Sequence, residues 1–424
     1  MSSKPQKTTD MKRLLFFRIL RGFTLTATIL FLSSCLNQMG ENGEKEKGIK
    51  LSVQQEKLAN AGNEFGFRIL EETIGLQTNT MLSPYGLSQV FGMLANGASG
   101  ETYSQICKIA GFSSSDSDGV NDFFKTMNKG MNLGIGVNFS IKNSLWITNN
   151  SSLKRNYASA CSKYYSASVQ TIDFSKASAL TTINNWCARA TEGLIDPMFS
   201  TLSDQLVMLA LNTGYLDAQW ASRFNKTATE NGTFTDIDGR LQSKAFMQQV
   251  NKGDFACYIS DEVALVEMPY INGQFSMVCI LPGKGIHFEQ FIKSLSAEKW
   301  EYWTDHLSKE TACQVILPKF EITFDAYNLV PILKKMGLTA PFEKGARFDT
   351  ISEQSLLLSD IRQKNVISVE EDRTLVSSAS SATFDPTGID IHKDFITFRF
   401  NEPFLFAIRE RSTGVILFLG TLVR

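Results

Sequence analysis

Apolar residues along the 424-residue chain follow two rhythms. Helical spacing predicts amphipathic helices over residues 54–74 and 84–96. Pro84 falls in the first turn of the second, where its missing N–H costs nothing. Thr102 with Gln105 has the form of a capping box and predicts a third helix there. Runs over 137–148 and 168–174 read as strands, and 180–193 as a helix. Residues 205–215 are almost continuously apolar, the pattern of a strand buried on both faces. From Phe246 onward strands dominate, over 264–269, 274–281, 313–324, 361–369, 395–400 and 404–423. Helices over 288–306 and 329–336 interrupt them. Helices early and strands late predict an α+β fold, with no internal repeat and no second linker.

One stretch, residues 368–403, is unlike the rest. It begins and ends as a strand. Between lie Ser377, Ser378, Ala379, Ser380, Ser381, Ala382 and Thr383, then the turn-forming Asp385, Pro386, Thr387 and Gly388. By composition alone such a run is a mobile linker. Its position between two strands argues for a functional loop, because long structureless connections inside compact domains are uncommon. Read with period two, one face carries Thr374, Val376, Ser378, Ser380, Ala382 and Phe384. The other carries Leu375, Ser377, Ala379, Ser381 and Thr383. The first face holds no charge, so the segment could become a buried strand without burying an ion.

Residues 1–34 read as a targeting segment. Lys4, Lys7, Lys12, Arg13, Arg18 and Arg21 form a positive leader, and the apolar stretch over 22–32 is too short to span a bilayer. It closes in Leu32-Ser33-Ser34-Cys35, which resembles a bacterial lipobox with Cys35 as the lipidated residue. An ordinary signal peptide with a chance cysteine is the plainer alternative. Either Met1 or Met11 would serve as the start, since Met11-Lys12-Arg13 already supplies a leader. Residues 35–53 are polar and rich in Gly, Glu and Lys, a tether. Residues 54–424 then form the folded domain. The expectation is a membrane-anchored lipoprotein facing the periplasm or the cell exterior.

The remaining composition mostly excludes. A net charge of −1, with no Lys/Arg block outside the N-terminus, gives no case for nucleic acid. Beyond Cys35, the cysteines Cys107, Cys161, Cys187, Cys257, Cys279 and Cys313 show no CxxC and no ligand-like clustering, so they read as buried free thiols. The three histidines, His287, His306 and His392, are far apart. There is no G-x-S-x-G, H-E-x-x-H or Walker loop, and the paired glycines at 134/136 and 283/285 read as turns. No metal site, cofactor or catalytic constellation is expected, which argues against an enzyme.

Several segments are similar, in order and spacing, to those of the serpin family. Asn79-Thr80-Met81-Leu82-Ser83-Pro84 runs into Met93 to Thr102. Ile183-Asn184, Trp186, Thr191 and Gly193 follow, then Leu211-Asn212 to Trp220 and Phe224, and Leu317-Pro318-Lys319-Phe320. Pro403 to Phe406 and Gly414 to Gly420 close the series. The resemblance covers residues 63–423. It implies the serpin fold: helices from the N-terminal half packed on three β-sheets, a large central sheet, and an exposed reactive-centre loop at about 371–394.

It also implies a function. Serpins offer the loop as protease bait, and after cleavage it inserts into the central sheet and traps the acylated protease. The expectation is a monomeric inhibitor of serine proteases, with cysteine proteases as secondary targets. Family spacing puts the hinge at Glu371, Arg373, Thr374, Leu375, Val376, Ser377, Ser378, Ala379 and Ser380, and the reactive bond at Thr387–Gly388. A threonine before that bond points to an elastase-like target. Departures favour a non-inhibitory serpin as the alternative: Arg373 replaces the hinge glycine, and Leu375 and Val376 replace Glu and Ala. In the region that opens for the loop, Ser83 and Asn212 match the family, whereas Gly86 replaces a serine and Gln363 a histidine.

Overall fold

The computed structural model describes residues 48–74, 78–113, 116–131, 136–374, 388–391 and 395–424. The leader, Cys35, Leu375 to Ser380 and Thr387 lie outside the described residues. The first half holds α1 (Val53–Ile74), β1 (Thr80–Leu82), α2 (Pro84–Gly97), α3 (Gly100–Ala110), α4 (Ser117–Gly130), β2 (Val137–Thr148), α5 (Arg155–Tyr165), β3 (Ser168–Ile172), α6 (Ala177–Ala190) and β4 (Met208–Gln219). Strands β5 (Glu230–Thr235), β6 (Leu241–Asn251), β7 (Ala256–Ile259), β8 (Val263–Pro269) and β9 (Phe275–Pro282) follow. Next come α7 (Phe288–Lys293), α8 (Ala297–Asp305), β10 (Ala312–Pro318), β11 (Phe320–Asn328), α9 (Val330–Lys335) and β12 (Asp360–Val369). The chain closes with β13 (Arg373–Thr374), β14 (Gly388–Ile391), β15 (Phe395–Arg399), β16 (Phe404–Glu410) and β17 (Ile416–Leu422).

These strands form three sheets. The central one runs β11-β12-β4-β2-β3, with β13 paired to β4. A second runs β1-β17-β16-β9-β8-β7 and a third β14-β15-β10-β6-β5. Within the central sheet β4 is antiparallel to β2 but parallel to β12, so the β4–β12 seam joins two strands that point the same way. Strand β4 is buried over its first nine residues, as its unbroken apolar run requires. Helix α2 lies against β17, β4 and β2 and is buried nearly throughout. Ser83 caps it, accepting the Gly86 N–H, and Pro84 opens its first turn.

Some expected elements divide. The single strand read over 313–324 is β10 and β11, in different sheets, parted at Lys319. The run over 404–423 is the hairpin β16–β17, whose turn needs Gly414 at φ 70°. The helix over 288–306 is two, α7 and α8, the second capped by Ser296. The capping box is displaced as well. Helix α3 starts after Ser99, and Thr102 lies within it, its hydroxyl accepting the Arg347 N–H. Gln105 Oε1 instead accepts the N–H groups of Thr339 and Ala340. All six cysteines from Cys107 to Cys313 are free and buried.

Candidate functional site

The site is the upper end of the β4–β12 seam, where the loop leaves the sheet. The two strands pair from Asp360↔Leu209 to Val366↔Tyr215 and then part. Past Val369 the chain turns back, with the Glu370 N–H donating to the Arg373 carbonyl at 2.9 Å. Strand β13 then runs antiparallel along β4, Arg373↔Gln219 and Thr374↔Ala218. The first two loop residues thus fill the place on β4 that β12 has vacated. Their side chains alternate as a strand demands. Thr374 is fully buried, its Oγ1 3.1 Å from the Tyr270 hydroxyl, and Tyr270 stacks on Trp220 at 4.8 Å. Burial pushes the Tyr270 phenol up, so it stays protonated and available to the threonine. Arg373 faces out and pairs with Asp217 at 3.3 Å.

A clamp from the segment after β4 holds this turn. Trp220 Nε1 donates to the Glu370 carbonyl at 2.8 Å, and the Phe224 N–H to the Glu371 carbonyl at 2.9 Å. The buried Glu371 carboxylate accepts from Thr229 Oγ1 at 2.7 Å and Lys319 Nζ at 2.9 Å. Burial works against its charge, but those two bonds outweigh it and hold the carboxyl below the ordinary glutamate value. Asp372 pairs with Lys226 at 2.5 Å. Lys319, Trp220 and Phe224 belong to the similar segments read in the sequence, though nothing there tied them to the hinge. Tyr270 and Thr229 carried no signal at all.

Lower in the seam the structure brings Ser83, Gly86, Asn212 and Gln363 together. Gln363 Oε1 accepts the Ser83 N–H at 2.9 Å, and its Nε2 donates to the Ser83 carbonyl at 3.1 Å and Asn212 Oδ1 at 2.6 Å. Ser83 Oγ donates to the Leu417 carbonyl at 2.8 Å. Gly86 leaves the Asn212 side chain its space. Glutamine meets both the donor and the acceptor demands of the buried position. Close by, Asn365 Oδ1 and Thr213 Oγ1 are buried with no hydrogen-bond partner among the described residues. Of the expected reactive bond, Gly388 opens β14, an edge strand paired with β15, Gly388↔Arg399.

A family model described as serpin (serine protease inhibitor) matches residues 60–424. The chain belongs to the serpin family. An uncharacterized serpin-like protein of Thermococcus kodakarensis is 28% identical, over 94% of this chain and 97% of its own. The native structure of the thermophilic serpin tengpin superposes with a TM-score of 0.79 at 26% identity, covering 89% of this chain and 96% of tengpin. Thyroxine-binding globulin complexed with thyroxine gives a TM-score of 0.77 at 24% identity over 87% of this serpin and 99% of its own chain, a likeness of fold. Members of the family are mostly protease inhibitors, some are non-inhibitory, and they are not enzymes. Among the described residues no group of three or more His, Cys, Asp or Glu could hold a metal ion.

Proposed function

We propose that this serpin traps a serine protease, with cysteine proteases as secondary targets, by cleavage and insertion of the loop that follows Thr374. The target's nucleophile would attack the Thr387 carbonyl, forming an acyl-enzyme and releasing the Gly388 amine. The freed strand would then enter between β4 and β12, ahead of hydrolysis. The observation that carries this reading is the seat of Thr374: loop residues 373–374 are paired to β4 in the uncleaved chain, with the small hydroxyl inward and Arg373 outward. Insertion from there extends a strand already begun. The unpartnered Asn365 and Thr213 atoms weaken the closed seam, since a buried polar atom left unpaired costs roughly 1–3 kcal/mol. The proposal extends to an elastase-like target, a monomeric inhibitor, and a lipid on Cys35 holding it to a bacterial membrane on the periplasmic or outer side.

A second reading, a non-inhibitory serpin acting as a binding or structural protein, draws on Arg373. Its ion pair with Asp217 fastens a hinge position where a glycine would leave the backbone free. One gel separates the two. The serpin is mixed with elastase-like, trypsin-like and papain-like proteases and run after boiling in SDS. A complex that survives, at the summed mass less the loop fragment, supports trapping. Cleavage of the loop by every protease without any such complex supports the second reading.

A further inference from the structure

Beneath the seam the hydrogen bonds continue well past the four residues described. Gln363, Asn212 and Asn143 stand in one row across three adjacent strands, β12, β4 and β2, in the registers Gln363↔Asn212 and Asn143↔Asn212. Each donates to the next: Gln363 Nε2 to Asn212 Oδ1, and Asn212 Nδ2 to Asn143 Oδ1 at 2.8 Å. Asn143 Nδ2 donates in turn to Gln89 Oε1 on α2, and Gln89 Nε2 to Asn128 Oδ1 on α4 at 2.8 Å. Asn128 Nδ2 ends the chain on the Tyr164 carbonyl of α5 at 3.3 Å. Tyr85 adds its hydroxyl to Asn128 Oδ1 at 2.8 Å. The first four amides of this series are buried.

We propose that Asn143, Gln89 and Asn128 are positioning residues for loop insertion: a relay of side-chain amides by which α2 and α4 latch β2 and β4 against β12. The inference rests on the trapping function proposed above. Five amides all polarised one way act as a unit, because turning any one of them sets oxygen against oxygen or N–H against N–H at its neighbours. Strands β2 and β4 are paired over their whole length, from Val137↔Ala218 to Ile147↔Met208, so they move together when the seam opens. Opening must break the Gln363–Asn212 bond. Asn212 then swings away with β2 at a rate set by how firmly Asn143, Gln89 and Asn128 hold it. A looser relay speeds insertion and shortens the life of the closed form.

The test uses insertion without a protease: uptake by the uncleaved serpin of a fluorescent peptide with the sequence of residues 374–387, which competes for the seam. Asn128→Ala removes the acceptor of both Gln89 and Tyr85, and uptake should quicken at least about tenfold, the effect of one buried hydrogen bond left unmade. Asn128→Asp keeps the Oδ1 acceptor for Gln89 but sets an oxygen against the Tyr164 carbonyl, so its rate should lie between those of the parent and Asn128→Ala. Asn121→Ala is the control. Asn121 is buried on the same helix but bonded to Asn96 and Tyr165, off the relay. Gln89→Met breaks the relay at another place and should match Asn128→Ala, which covers a failure of that variant to fold. Equal rates for Asn121→Ala and the relay variants would overturn the relay. A parent that takes up no peptide and forms no SDS-stable complex would overturn the trapping function itself, and the relay's role with it.

Discussion

The side chain of Asn212 occupies the space in which a side chain on residue 86 would begin. A Cβ built on Gly86 falls 2.4 Å from Asn212 Nδ2 and 2.6 Å from its Oδ1, closer than any tolerated contact. The serine that the family carries at this position therefore cannot be added here without moving Asn212 off Gln363 and Asn143. Gly86→Ser should lower stability by roughly 1–3 kcal/mol, the usual cost of overpacking a core. Thermal unfolding of the uncleaved protein measures it. An unchanged melting temperature would show that Asn212 has an alternative seat.

Thr374 sets the cost of entering the seam. It is fully buried against Tyr270, so arginine there must shed its water without a partner, at a cost of several kcal/mol. Because β13 already lies on β4, the substitution should also expel the hinge from the uncleaved sheet. Each ~1.4 kcal/mol added to the insertion barrier slows trapping about tenfold while hydrolysis continues. Thr374→Arg should turn inhibitor into substrate, with many molecules consumed per protease. Leu375→Arg, on the opposite face in the period-two reading of the sequence, should matter far less. The checks are the stoichiometry of inhibition and the gain in melting temperature on loop cleavage. A variant that inhibits like the parent refutes insertion at this point.

The clamp on Glu371 gives the hinge a pH dependence of known sign. Its carboxyl is held below the ordinary value near 4.3 by Thr229 and Lys319, so the bound proton is the destabilising one. The clamp's contribution is complete above the ordinary range and is lost as pH falls through the lowered value. Glu371→Gln should cost about 2 kcal/mol at pH 7, as expected for hydrogen bonds to a buried charge, and the gap to the parent should close as pH falls through the lowered value. A gap that persists in acid would show that the carboxylate's charge is not what holds the turn. Gln363, standing where a histidine is usual, adds nothing that titrates between pH 5 and 8.

The parts legible in the sequence were those written in short-range pattern. Strand β2 and the apolar run of β4 follow from alternation and length, Ser83 and Asn212 from ordered similar segments, and Thr374 from its spacing after Glu371. Helix α4 was passed over, although Val120, Phe123, Phe124 and Met127 bury one face at the spacing a helix requires. The strand split at Lys319 was hidden because apolar residues continue on both sides of it. Tyr270, Thr229, Gln89 and Asn128 were illegible for a deeper reason. Each meets its partner across a large sequence separation, and a lone polar residue on a helix or strand ordinarily faces water. Only the folded chain shows that Gln89 points inward to Asn143.

The anchor makes a separate prediction. Ile49 and Leu51 pack on the core, with Ser412 Oγ donating to the Ile49 carbonyl at 3.4 Å. Residues 36–48 separate Cys35 from Ile49, and those 13 residues reach about 45 Å at full extension. If Cys35 is lipidated, acyl burial supplies the membrane affinity. Cys35→Ser should then move the protein to the soluble fraction on cell fractionation. Retention in the membrane fraction would remove the lipid from the account.

The position of the reactive bond can be read from one mass. Counting from Glu371 by the family's spacing places it at Thr387–Gly388, at the border between the loop and β14. A cut there leaves β14 and β15 paired and frees a fragment of residues 388–424, 37 residues long. Thr387 suits a protease with a small or medium apolar pocket, and Pro386 stiffens the approach to it. Lys393 would attract a trypsin-like enzyme instead, freeing residues 394–424, 31 residues long, and separating β14 from β15. That cut also lengthens the inserting arm by six residues, about 20 Å of extended chain, so the acylated protease would not be drawn tight against the domain. Complexes with elastase-like enzymes should therefore release the 37-residue fragment and persist, whereas trypsin-like cleavage should release the shorter one and leave active protease. Mass spectrometry of the fragment freed from the SDS-stable complex decides between them, and a 31-residue fragment from that complex would move the reactive bond to Lys393.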